Sequence, residues 1–162
     1  MTSILAVQKE FGSVELGLKY LEPENTLHVH LAKCYSMPTI DRNEDFFVMI
    51  TILFIPHGSR RTMMKHTSRE KKLTSNIVFH ELMKYPQVPI DELFGGKIEV
   101  SAWRIDSYGN RRRTSQATII LSDPPIDCKK VLVPFRPKEN RDITKSIDRN
   151  IASGLWDWMI WI

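Results

Sequence analysis

Apolar and polar residues alternate with a period of two through most of this chain, a pattern that extended strands paired into sheets can bury on one face. Val14, Leu16, Leu18 and Tyr20 alternate with polar or small residues, and Leu27, Val29 and Leu31 alternate with His28 and His30. Glu22-Pro23-Glu24-Asn25 separates the two runs with turn residues, so the pair reads as an antiparallel hairpin. Phe46 to Ile55 is a continuous apolar, β-branched run, the mark of a strand covered on both faces, and it stops at the turn Pro56-His57-Gly58-Ser59. Shorter strands are expected at Arg60 to Thr67, Ile77 to Phe79, Lys97 to Ile105 and Ala117 to Leu121. Trp156, Trp158, Ile160 and Ile162 alternate again, which suits a closing strand over the core. Before it, Ile143, Ile147 and Ile151 fall at four-residue spacing and predict a short helix over Asp142 to Ser153. The expectation is an all-β fold, an eight-stranded antiparallel sandwich with one short helix before the last strand.

Length and composition agree with one domain. The 162 residues are 42% hydrophobic and 26% charged, enough apolar side chain for a proper core. Residues 1–11 read as an N-terminal extension and 12–162 as the domain. The longest apolar stretch, Phe46 to Pro56, is too short to span a bilayer, and Ile4 to Val7 is too short for a signal peptide, so membrane contact would be peripheral. Two distant cysteines, Cys34 and Cys128, form no metal or redox spacing and fit a reducing, cytoplasmic setting. Cys34, at the end of the second strand, reads as an inert, partly buried thiol.

Enzyme signatures are missing. The sequence holds no nucleophile elbow, phosphate loop or dinucleotide fingerprint. His28 and His30 share a strand face without a third ligand at a usual spacing, and read as surface residues. Asp91-Glu92 lies in a connection, and Glu81 reads as a partner for backbone rather than an acid–base group. No catalytic residue, cofactor or metal is expected.

Gly12 to Tyr20, Thr26-Leu27-His28-Val29, Met37-Pro38 with Asp41, and Asp45-Phe46-Phe47-Val48, taken in this order, resemble the opening strands of a synaptotagmin-type C2 domain. Leu53-Phe54-Ile55-Pro56 resembles its third strand and turn, and Phe79-His80-Glu81 its Phe-Asn-Glu motif. Asp91-Glu92-Leu93-Phe94-Gly95-Gly96-Lys97 and Trp103-Arg104-Ile105-Asp106 resemble the approach to its sixth strand and that strand's end. The resemblance implies a C2-type eight-stranded sandwich with three loops at one end. In calcium-binding members, aspartates on those loops hold calcium against anionic lipid.

This sequence departs from the pattern at those ligands. Asp41, Asp45 and Asp106 remain, but Arg104 stands where the resemblance implies an aspartate, and 107–114 contains no acid. Calcium needs six to eight oxygen ligands, several of them carboxylate, so Asp41, Asp45, Arg104 and Asp106 read as a degenerate site. The expectation is that Arg104 fills the vacated position and pairs with Asp41, Asp45 or Asp106, with a solvent-facing Arg104 as the alternative.

Positive charge is clustered within the net +4. Residues 60–72 contain Arg60, Arg61, Lys65, Arg69, Lys71 and Lys72 against Glu70, and the third loop is expected to carry Tyr108, Arg111, Arg112 and Arg113. The resemblance implies that such a basic strand binds phosphoinositides or acidic proteins, although a charge run also serves simply as a solvated face. No nucleic-acid motif is present, and aromatic residues are not interleaved with the cations as base stacking requires. The reading is a calcium-independent module in trafficking or signalling. It docks peripherally on anionic membranes bearing phosphoinositide or phosphatidylserine; the alternative is a protein–protein interaction domain with an acidic partner.

Overall fold

β1 (Ser13–Leu21) and β2 (Thr26–Tyr35) form the expected hairpin. The turn between them is a 3-10 segment, Glu22–Glu24, closed by Asn25 at φ 50°, a left-handed conformation that asparagine tolerates better than most residues. The computed structural model describes residues 11–39, 45–58, 63–122 and 129–137. Within these the strands continue as β3 (Phe47–Ile55), β4 (Met64–Thr67), β5 (Lys71–Lys72), β6 (Ile77–Tyr85), β7 (Lys97–Ile105), β8 (Arg111–Ile120), β9 (Lys129–Pro134) and β10 (Arg136–Pro137), with a short helix α1 (Ile90–Leu93) before β7.

The strands make two antiparallel sheets. The first runs β6-β2-β1-β9; the second runs β10-β8-β7-β3-β4, with β5 also paired to β3. Alternation along each strand turns one set of side chains inward. Val14, Leu16 and Leu18 of β1 and Leu27, Val29 and Leu31 of β2 meet Ile50, Ile52 and Phe54 of β3, Ile98 and Val100 of β7, and Ile119 of β8 in a single buried cluster. Side-chain hydrogen bonds then tie the sheets together. The Tyr85 hydroxyl, on β6, donates to the Ile52 carbonyl of β3 at 2.7 Å, and burial pushes that phenol upward from its ordinary value. The Glu81 carboxylate accepts the Arg69 backbone N–H at 3.1 and 3.2 Å, which fixes the β4–β5 link against β6. Glu81 thus holds backbone, as expected from sequence. At the far end the Tyr20 hydroxyl donates to the Val88 carbonyl at 2.6 Å.

The antiparallel sandwich is as expected, but four details differ. β6 continues to Tyr85 rather than ending at Phe79, with an irregularity where His80 takes φ 51°. Arg111 to Arg113 belong to strand β8 and not to a loop, because their backbone pairs with Ile105 to Trp103 of β7. β9 was not foreseen: it pairs with β1 and fills an edge of the first sheet, an edge position where a proline such as Pro134 is tolerated. Cys34 is fully rather than partly buried, and burial raises its thiol to about 12, consistent with the inertness expected of it. The expected helix over 142–153 and closing strand over 156–162 lie outside the described residues, as do Asp41, Arg60 and Arg61.

Candidate functional site

The antiparallel register brings Phe47, Ile105, Arg111 and Lys72 to one end of the second sheet. The β7–β8 turn and the residues just before β3 meet there, and with them Asp45, Arg104 and Asp106. Each of the three is already engaged. Asp45 pairs with Lys72 at 3.6 Å, both largely exposed, an arrangement that contributes less than about 1 kcal/mol. Asp106 closes its own turn: one carboxylate oxygen accepts the backbone N–H groups of Tyr108 (2.9 Å) and Asn110 (2.8 Å), and the other accepts the Asn110 side chain at 3.1 Å. Gly109, at φ 83° where an L side chain is strained, completes that turn with an N–H to the Asp106 carbonyl. The Arg104 guanidinium lies 5.4 Å from the Phe46 ring centroid, a cation–π arrangement. Among the described residues it pairs with neither Asp45 nor Asp106, which corrects the pairing expected for those two. The ring face supplies the negative potential instead. No cluster of three or more metal-ligating side chains occurs among the described residues.

The backbone N–H of Asn110, with the other bonds of the turn, holds the Asp106 carboxyl below its ordinary value. A lowered carboxylate stabilises its turn above the unfolded value, and that contribution is lost as pH falls through the folded one. On acidification the amide resonances of Tyr108 and Asn110 are therefore expected to move together, at lower pH than an ordinary aspartate titrates. The same shift persisting in Asp106→Ala, followed by NMR, would reject this origin.

A second arrangement covers the outward side of the second sheet. Register places Lys72, Phe47, Ile105 and Arg111 in one row across it. Met49, Trp103 and Arg113 form the next row, then Thr67, Thr51, Ser101 and Gln116, then Lys65, Leu53, Glu99 and Thr118. Trp103 donates its indole N–H to Thr51 Oγ1 at 2.9 Å, so the ring lies along the sheet with Met49 and Thr51 buried near it. Arg111 pairs with Glu70 at 3.7 Å. Lys71 and Arg112 fall on rows of the opposite parity, beside Val48 and Arg104 at the loop end. Tyr108 stands 86% exposed at the tip of the β7–β8 turn, and the Arg69 side chain is exposed on the β4–β5 link. The structure thus gathers Lys65, Lys72, Arg111 and Arg113 on one face and sets Lys71, Arg104 and Arg112 at its end. Sequence reading left Trp103 out of this group; its strand parity, shared with Met49 and Thr51, was the available signal.

No family model matches the sequence, and no curated protein matches it. Solved structures do. A C2 domain of the protein RIM from Drosophila superposes with a TM-score of 0.66 at 18% identity, over 77% of this chain and 98% of that one. The first C2 domain of human synaptotagmin XIII superposes with a TM-score of 0.54 at 15% identity, over 75% of this chain and 86% of that one. Two facing antiparallel sheets, with the loop end and register described above, therefore make this chain a β-sandwich of the C2-domain fold.

Proposed function

We propose that the chain is a peripheral docking module for membranes bearing phosphatidylserine or phosphoinositides, and that it works without calcium. The observation that carries this reading is the outward face of the second sheet, where Lys65, Lys72, Arg111 and Arg113 share the outward rows with Trp103, and Glu99 is the one acid in those rows. Each lysine or arginine close to an anionic surface contributes about 1 kcal/mol, so four of them suffice for reversible attachment. The exposed Tyr108 ring, in the turn that leads into Arg111 and Arg112, suits the headgroup layer, with an apolar body and a polar tip. Arg60 and Arg61 extend the same basic run in sequence. Calcium independence is supported by Arg104 at a degenerate ligand position, by Asp45 facing Lys72, and by Asp106 spent on its own turn.

Vesicle sedimentation in the presence of a chelator tests the reading. Binding is expected to phosphatidylserine or phosphoinositide vesicles and not to pure phosphatidylcholine. It should fade as salt rises from 0.1 to 1 M, where the screening length drops from about 10 to about 3 Å. Failure to bind any anionic vesicle at low salt rejects the proposal and favours an acidic protein partner for the same face. Calorimetry is expected to show no saturable calcium uptake up to about 1 mM, the weak end of protein calcium sites.

A further inference from the structure

The other outward face of the sandwich, on the first sheet, is also cationic, and it differs in chemistry. Cross-strand register sets Lys84, His28 and Lys19 in one row, Leu82, His30, Gly17 and Lys130 in the next, and Val78, Lys33, Glu15 and Leu132 in a third. His80, held outward by its left-handed backbone, stacks on His30 with ring centroids 5.7 Å apart and planes 14° from parallel. Three of the chain's five histidines therefore share this face with four lysines. Among the described residues Glu15 is the only acid in these outward rows, and it sits opposite Lys33. His28 is flanked by Lys19 and Lys84; His30 is flanked by His80, Leu82 and the side-chain-free Gly17, with Lys130 one strand beyond. Like charges directly opposite one another in a sheet are destabilising, so the Lys84–His28–Lys19 row works against the fold whenever the imidazole is charged. An anionic partner relieves that repulsion.

We propose that this face is a second contact for anionic membrane, engaged on acidification. The shape argues for a lipid surface as the occupant. The cations are spread over all four strands of a sheet roughly 15 Å across rather than lining a groove. Val78, Leu82 and Leu132, 48%, 53% and 58% exposed, lie on the two edge strands where they meet the headgroup boundary. At neutral pH four lysines face one glutamate. Imidazoles are the side chains that take up protons between about pH 8 and 5, so acid adds up to three charges and doubles the net positive charge of the face. Among the described residues the second-sheet face has no histidine in its outward rows; His66 of β4 turns inward, its ring 4.7 Å from that of Tyr85. Among the described residues the imidazoles in the outward rows of the two sheets therefore all lie on the first-sheet face, and because the two faces point in opposite directions, acid converts a one-sided module into one that links two membranes.

The test uses phosphatidylglycerol vesicles, whose charge is constant over this range, and the variant Lys65→Ser/Arg111→Ser/Arg113→Ser, which disables the second-sheet face. That variant is expected to bind at least about tenfold more tightly at pH 5.5 than at pH 7.4. Adding His28→Gln, His30→Gln and His80→Asn, the last chosen because asparagine accepts the left-handed backbone, removes the gain. Thermal unfolding of both variants confirms that they fold. The unmodified chain is expected to cluster vesicles, by light scattering, at pH 5.5 only. No acid gain in the first variant, a gain that survives the histidine substitutions, or equal binding to phosphatidylcholine overturns the proposal. An acid gain in a chain that ignores anionic vesicles at neutral pH would uphold it while rejecting the second-sheet face.

Discussion

Replacing Lys65, Arg111 and Arg113 together with serine is expected to weaken binding to phosphatidylserine vesicles at neutral pH about a hundredfold. The three side chains leave the same side of the second sheet, from β4 and β8, with Trp103 beside Arg113. At about 1 kcal/mol per cation near an anionic surface the loss is about 3 kcal/mol, and each 1.4 kcal/mol is a factor of ten. The fold should be indifferent. Lys65 and Arg111 are exposed, and the Arg111–Glu70 pair is a surface contact of small value. Equilibrium sedimentation against vesicle concentration reads the effect, and the residual binding should also lose much of its salt dependence. A change of less than about threefold with the fold intact would move the contact to the loop end, where Arg104, Arg112 and Lys71 lie.

The largest loss of stability is expected from Phe54→Ala. Phe54 is fully buried on β3, and its ring lies 6.0 Å from that of Tyr85, tilted by 58°. Truncating a buried phenylalanine removes its transfer free energy and leaves a cavity, together about 3–5 kcal/mol. Typical domains have only about 5–15 kcal/mol in total, so the variant stands near its folding limit. Tyr85 also donates to the Ile52 carbonyl on the same strand, so the cavity would loosen a buried hydrogen bond as well. Urea unfolding should show a lower midpoint at unchanged slope. A loss below about 1 kcal/mol would mean the ring is not packed between the sheets.

Much of the scaffold was legible because a core side chain is followed by a polar one. β1, β2 and β7 fall where alternation placed them, and β3 where a continuous apolar run did. The pattern misled where that chemistry lapses. In β6, Leu82 faces out and Glu81 takes a buried-side position, so the second half of the strand has no readable period. In β9, exposed Leu132 and terminal Pro134 hide the inward pair Val131 and Val133. Arg111 to Arg113 carry no apolar residue, and only their pairing with β7 makes them strand. The surfaces were less legible still. His28 and His30 read as surface residues sharing one strand face, and His80 only as part of a short motif, because their neighbours come from other strands. Register turns them into a patch with Lys19, Lys84 and Lys130.

Glu81 grips the link between β4 and β5 by the main chain of Arg69 alone. Any residue with an amide hydrogen meets that need, so the identity of residue 69 is uncoupled from the architecture. Its side chain is at liberty to vary and tune what the exterior attracts. Position 81 has no such latitude: losing its carboxylate would release the link from its neighbour strand.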